Sequence, residues 1–318
     1  MLQLLRPVLV HALRPHRPSP SRLLLPLFIT TSQTNTMATS AVALVEAAKK
    51  AAAERAVADH LPATARFVGI GSGSTVVHVV DAIAAKGPGF WGEMTFVPTG
   101  SQSKGLIRGA GLRLANLDER PLGPDGTLVQ LDVAFDGADE VDDELNCIKG
   151  GGACLLQEKL VAVTARKFVV VADYRKLSLR LCTQWKTIPI EVLPLAAPDV
   201  LVRLAALGST GPRVRPGTPG KAGEVVTDNG MWIIDAPFPP LLLSRELEGS
   251  ATGRAADGSW GVAALAEELL RVPGIVEIGL FHGVNGIEAA AQGKVGLAQK
   301  PIAAYFGMED GSVKVSNA

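Results

Sequence analysis

Asp136–Lys159 reads DGADEVDDELNCIKGGGACLLQEK, a single turn-and-helix unit that combines an acidic run, a lysine, three glycines and a glutamate. Six of the nine residues from Asp136 to Glu144 are acidic. Lys149 leads into Gly150, Gly151 and Gly152, and the helix-like run ACLLQEKLVAVTAR follows. Three successive glycines let the backbone approach a ligand closely and adopt conformations that a Cβ forbids. A helix starting just after them turns its free N–H groups toward whatever occupies the loop. That helix is apolar almost all round, which predicts burial. Glu158 is therefore out of place in it. Cys154, Leu155, Val161 and Ala162 share its face, so its carboxylate is expected to be partly withdrawn from water, as a general base is.

The flanking sequence supplies strands for this unit. Leu128 to Phe135 reads as a strand running into Asp136, and Lys167 to Ala172 as another that ends at Asp173, near Lys176. Upstream, Val42 to His60 is a helix by propensity, closed by Pro62. RFVGIGSGSTVVHVVDAIAAK then gives a strand at Phe67–Ile70, a turn at Gly71 and Gly73, and a helix capped by Ser74. MTFVPTGSQSKGLIRGAG repeats strand, loop and helix, and LRLANL reads as a further strand. Strands alternating with helices predict a mostly parallel, Rossmann-like sheet of the α/β class. On such sheets ligands bind beyond the carboxyl ends of the strands. The SGST, DGAD and Asp173–Lys176 loops are all expected there. The hydroxyls of Ser72, Ser74 and Thr75, with the N–H groups of the following helix, make a phosphate cradle. No lysine stands where a Walker loop needs one, and Val76 replaces the third glycine of a dinucleotide fingerprint.

After Trp185 the order β-α-β-β-α-β predicts a smaller α+β domain of split βαβ, ferredoxin-like type. Its strands are IPIEVLP, EVVTDNGMWIID and VPGIVEIGLF, with DVLVRLAALG as a helix and a Gly/Pro-rich segment from Gly208 to Gly223. The expected division is 1–37 as an unstructured or transit-like extension, 38–184 as the catalytic domain completed by about 286–318, and 185–285 as the small domain. Residues 1–36 contain Arg6, Arg14, Arg17 and Arg22 but no acid, as organelle transit peptides do, while five prolines oppose the amphipathic helix such a peptide needs. An extension with Met37 as an alternative start is the other reading.

Composition excludes several partners. The 31 basic and 31 acidic residues cancel, leaving no field for nucleic acid or anionic lipid. No apolar run has the length of a membrane span. Cys147, Cys154 and Cys182 are odd in number and form no C-x-x-C pair, so reduced thiols of an intracellular, cytoplasmic protein are expected.

The assembled motifs resemble the ribose-5-phosphate isomerase A family. The resemblance rests on GSGST at 71–75, FDGADE at 135–140, KGGGACLLQEK at 149–159, KFVVVAD with Lys176, IPIEV at 188–192, VTDNG at 226–230 and PGIVEIGLF at 273–281. It implies interconversion of ribose 5-phosphate and ribulose 5-phosphate through an enediol(ate), without cofactor or metal, by a homodimer or homotetramer. Glu158 then matches the base that moves a proton between C1 and C2. Asp136 and Asp139 match carboxylates that handle sugar hydroxyls and assist ring opening, and Lys149 matches the cation beside the developing oxyanion. Ser72, Gly73, Ser74 and Thr75, then Gly137 and Ala138, then Gly150, Gly151, Gly152 and Lys176 match substrate-binding positions, with Lys49 a looser match. The stretches at 208–223 and 249–261 look like insertions that bear on oligomer contacts more than on catalysis.

Each residue also has a plainer reading. Glu158 could pair with a nearby lysine, Lys149 could be a solvated turn residue, and His78 is expected to be packed in its helix. The acidic run could hold a hard cation, although Glu140, Asp142, Asp143 and Glu144 are expected mostly at the surface. A non-catalytic sugar-phosphate sensor would need an output module, and no basic patch or helix-turn-helix is visible. A nucleotide-dependent enzyme would need the fingerprint that Val76 breaks.

Overall fold

The computed structural model describes residues 32–294 and 296–318. Of the extension expected at 1–37, residues 1–31 lie outside them, and 32–37 are helical rather than unstructured. Helix α1 (Ser32–His60) begins ten residues before the expected Val42, and His60 is followed by Leu61 and Pro62 as the chain turns toward the first strand. Then follow β1 (Phe67–Ile70), α2 (Ser74–Ala84), the short α3 (Pro88–Trp91), β2 (Thr95–Pro98) and α4 (Ser101–Gly109). Next come β3 (Val133–Asp136), β4 (Glu140–Val141), β5 (Cys147–Ile148), α5 (Leu155–Thr164) and β6 (Phe168–Asp173). The later part has β7 (Thr187–Val192), α6 (Ala197–Ala206), β8 (Arg213–Val214), β9 (Trp232–Pro237), α7 (Val262–Leu270) and β10 (Ile275–Ile278). It ends with β11 (Leu280–Phe281), α8 (Gly286–Ala291), β12 (Ala303–Gly307) and β13 (Val313–Asn317). None of the described helices is long and apolar enough to cross a membrane.

The central sheet has the order β13-β12-β6-β3-β1-β2 and is parallel except for its edge strand β13. The tail thus returns to this sheet, with β12 beside β6. Strands β3 and β6 are buried at every residue, as expected where helices cover both faces. Gly69 of β1 lets α5 pack closely, because a Cβ there would lie 2.7 Å from both Ala134 Cβ and Val161 Cγ1. The sheet therefore fixes α5 across the ends of β1 and β3.

A second sheet has the order β10-β7-β9-β8 with every neighbour antiparallel. This is the split βαβ arrangement that the sequence predicts. Residues Ser40–Ala318 as a whole form one compact unit. A small third sheet, β11-β5-β4, joins the DGADE and KGGG stretches to Leu280 and Phe281.

Several local expectations differ from the structure. LRLANL is not a strand; Leu114 makes only an isolated bridge to Phe96, and a 3-10 turn starts at Leu117. The second strand of the small sheet is β8, inside the Gly/Pro-rich segment, whereas Glu224 and Val226 make only bridges before β9. PGIVEIGLF splits at Gly279, whose N–H donates to Pro189 O of β7 while its carbonyl accepts from Lys149 N after β5, an approach so close that a Cβ would meet Lys149 O at 2.3 Å. Its two halves serve different sheets.

Glu140 and Asp142, expected at the surface, are 0% and 1% exposed. Glu140 accepts hydrogen bonds from the N–H groups of Cys182, Thr183 and Gln184 and from Thr183 Oγ1. Asp142 accepts from Glu144 N, Asn146 N and Asn146 Nδ2. Burial is tolerated because each carboxylate is surrounded by donors. Glu140→Ala leaves those donors unpaired and is expected to cost about 2–4 kcal/mol of stability, read from urea unfolding. A loss below about 0.5 kcal/mol would show that water replaces the carboxylate.

Candidate active site

The loops after β1, β3 and β6 meet the triple-glycine loop around a cavity of about 310 Å³. Ser72, Gly73, Ser74 and Thr75 form one wall, Gly137, Ala138 and Asp139 a second, and Lys149 to Gly152 with Glu158 a third; Lys176 closes the rim. All the sequence-predicted site residues except Asp136 and the looser match Lys49 line it. Such a volume lies at the small end for ligand pockets and suits a small metabolite. A roomier cavity of about 600 Å³ borders Leu117, Leu128 and Leu160. Its one carboxylate, Asp118, is exposed, so it lacks a buried acid–base group.

Glu158 sits in the first turn of α5 and is 5% exposed. Ser72 Oγ donates to its Oε1 at 2.6 Å. Its Oε2 is buried and accepts no hydrogen bond among the described residues, while Lys149 Nζ stands 3.5 Å away. One oxygen is thus held by Ser72, and the other faces the Lys149 ammonium at ion-pair distance.

Lys149 is 2% exposed. Its Nζ pairs with Asp136 Oδ2 at 2.8 Å and donates to Gly137 O at 2.6 Å. Burial works against the ammonium, but Asp136 and Glu158 outweigh it and raise its pKa above the usual lysine value. Asp136 stands behind the wall, with its Oδ1 accepting Ser72 N at 3.0 Å and Gly137 N at 2.7 Å. Burial pushes its carboxyl upward, opposed chiefly by Lys149. Its close packing requires Gly71, where a Cβ would lie 2.0 Å from Asp136 Oδ1. Asp139 reaches the wall itself. Its Oδ2 accepts Gly151 N at 2.7 Å, and burial raises its pKa, opposed by that bond and by Lys149.

The glycine loop is a tight turn closed by Ala153 N donating to Gly150 O at 3.0 Å. Gly150 has a φ of 103°, a region that favours glycine. Helix α5 starts directly after it, with Cys154 at the cap position. In the opposite wall Gly73, rather than Ser74, caps α2, and Gly73 N donates to Gln102 Oε1 at 2.8 Å. Ser74 Oγ instead accepts from Lys49 Nζ at 3.0 Å. Lys49 therefore lies beneath the loop and borders a neighbouring cavity. His78 is partly buried and bonds Glu46 Oε2 at 3.0 Å.

Gln102, Cys154, Asp173 and Arg175 also line the cavity. Gln102 and Arg175 escape the motif reading, although the strand-end rule points to both loops. Arg175 is held by Asp173 through two hydrogen bonds, Nε to Oδ1 at 2.7 Å and Nη2 to Oδ2 at 2.9 Å.

Buried Lys149 beside an oriented carboxylate can stabilise negative charge on a ligand oxygen while Glu158 exchanges a proton. Comparison with known proteins bears on the family of the chain. Residues 95–293 match the family model described as Ribose 5-phosphate isomerase A (phosphoriboisomerase A). Ribose-5-phosphate isomerase of Schizosaccharomyces pombe is 45% identical over 275 residues, 86% of this chain and 84% of the relative. A solved structure of D-ribose-5-phosphate isomerase in complex with phospho-erythronic acid superposes with a TM-score of 0.68 at 31% identity, over 86% of this chain and 99% of that one. Ribose 5-phosphate isomerase A from Methanocaldococcus jannaschii gives 0.65 at 29% identity, over 85% and 98%.

Proposed function

The chain belongs to the ribose 5-phosphate isomerase A family and is an isomerase, and from that premise we propose that it interconverts D-ribose 5-phosphate and D-ribulose 5-phosphate through an enediolate with Glu158 as the base. The observation that carries the proposal is the buried Glu158 Oε2 with no hydrogen-bond partner among the described residues. A proton-transfer base needs a lone pair that the resting site leaves unused.

The phosphate sits in the Ser72–Thr75 loop at the start of α2, with Lys176 at the rim. The sugar chain then runs toward Lys149 and Glu158. Asp139, which has one oxygen engaged by Gly151 N, uses the other on a sugar hydroxyl and assists ring opening. Glu158 Oε2 removes the proton from C2 of the open-chain aldose, exchanges it in part with solvent and protonates C1, while the O2 hydroxyl proton passes to O1. The charge that develops on oxygen meets the Lys149 ammonium, which Asp136 keeps protonated and fixed. Ser72 holds Glu158 through its other oxygen, so the carboxylate need not reorient between the two transfers. Phospho-erythronic acid, bound by the solved relative, is a sugar-acid phosphate whose planar carboxylate resembles an enediolate. It is expected to compete with substrate here.

In this proposal residues 38–184 and 286–318 carry the chemistry and 185–285 support them. The enzyme works in the cytoplasm as a homodimer or homotetramer. Ribose 5-phosphate supplied with excess chelator is expected to yield ribulose 5-phosphate at the full rate. Folded protein that binds ribose 5-phosphate without forming ketose would favour the sensor reading, and loss of activity on chelation would implicate a metal.

A further inference from the structure

Arg215 lies in the Gly/Pro-rich stretch that reads from sequence as an insertion remote from catalysis. Its side chain nevertheless reaches the triple-glycine loop. Nη1 donates to both Gly150 O and Gly151 O at 3.0 Å. The guanidinium is held from behind by Asp235 of β9, through Nη2 to Oδ1 at 2.6 Å and Nε to Oδ2 at 2.9 Å. Both partners of that ion pair are only 15% exposed. The Arg215 backbone is fixed as well, since its N–H donates to Ile233 O at 2.7 Å and its carbonyl accepts from Val225 N at 3.0 Å.

Three glycines have more backbone freedom than any other tripeptide, so the loop needs an external anchor to keep one shape. Two carbonyls captured by one planar guanidinium supply it, because a rigid fork fixes direction as well as distance. With its carbonyls turned outward, the loop presents Gly151 N to Asp139 Oδ2 and keeps Lys149 at Asp136. Without the guanidinium, Gly150 O keeps only Ala153 N, and a freed Gly151 O could rotate toward the cavity and oppose an anionic ligand.

We infer that Arg215, backed by Asp235, is a positioning residue for the reaction, acting from the small sheet through the carbonyls of Gly150 and Gly151 on Lys149 and Asp139. The inference rests on the isomerase reading of the cavity. Lysine can satisfy the two carbonyls or Asp235 but not both with fork geometry. Arg215→Met is therefore expected to lower kcat roughly 10- to 100-fold, the scale of a misplacement of about 1 Å, and to raise KM severalfold. Arg215→Lys should fall between Met and wild type, and Asp235→Asn should shift both constants in the same direction by less.

A merely structural role would reduce the amount of active enzyme. It would lower apparent kcat at unchanged KM, with no graded recovery in Arg215→Lys. Should Arg215→Met not fold, Arg215→Lys and Asp235→Asn carry the test by the same KM-against-kcat comparison. Folded variants with both constants within twofold of wild type would overturn the inference, as would a loss confined to kcat. A wild-type enzyme that makes no ribulose 5-phosphate would instead overturn the underlying reading.

Discussion

Glu158→Gln is expected to bind ribose 5-phosphate with an affinity near that of wild type and to turn it over at least about 10³-fold more slowly, within the range for loss of a general base. The amide keeps the size of the carboxylate and can still accept the hydrogen bond that Ser72 Oγ now gives to Oε1. It cannot accept a proton from carbon. Steady-state turnover and calorimetric titration together read the two halves of this expectation. Turnover within tenfold of wild type would mean that another group moves the proton, and Asp139 would be the next candidate on the cavity wall.

Lys149→Met should lower kcat by about 10²- to 10³-fold, the magnitude found when a donor to a developing oxyanion is removed. The ammonium stands at 2.8 Å from Asp136 and 3.5 Å from Glu158, in a site nearly closed to water. Its removal therefore has a second consequence. Two buried carboxylates would face each other without a cation, and breaking such an arrangement costs about 3–5 kcal/mol. Denaturant unfolding should register that loss, softened by proton uptake at Asp136, whose pKa burial already raises. Activity per folded molecule separates the two effects. A change confined to KM would contradict the proposed role, because it would mean that Lys149 binds ground and transition states equally.

Much of the site is legible in the sequence because its parts are local. The run from Lys149 to Lys159 specifies its own turn and helix, and GSGST marks the end of a strand through glycines and hydroxyls alone. The strand-end rule then brings separate loops to one place without knowledge of any contact. What escapes the sequence depends on partners distant in the chain. Glu140 looks like one more solvated acid of a charged run, until the N–H groups of residues 182–184 surround it. Asp136 looks like a wall residue, yet the close approach allowed by Gly71 places it behind Lys149. Arg215 sits 65 residues from Gly150 in a segment whose prolines and glycines suggest only a loop. LRLANL has the alternation of a strand, but only Leu114 finds a bridging partner, Phe96 on β2.

The chemistry on α5 and on the glycine loop rests on a strand pair with little exposure, β3 being buried at every residue and β1 at all but Phe67. Strands β1 and β3 hold Gly71 and Asp136 without slack, and α5 packs onto Gly69 one residue before Ile70. Small errors in this stack would displace Glu158 relative to Lys149. Rigid elements suit a proton transfer that tolerates little misplacement.

The most direct test of Glu158 as the base is hydrogen exchange at carbon in deuterated water. Ribose 5-phosphate incubated with wild-type enzyme is expected to acquire deuterium at C2, and the ribulose 5-phosphate formed at C1, both read by nuclear magnetic resonance. With Glu158→Gln neither signal should grow above the enzyme-free control, although the sugar still binds. Exchange by Glu158→Gln at a rate comparable to wild type would show that the proton moves through a different group.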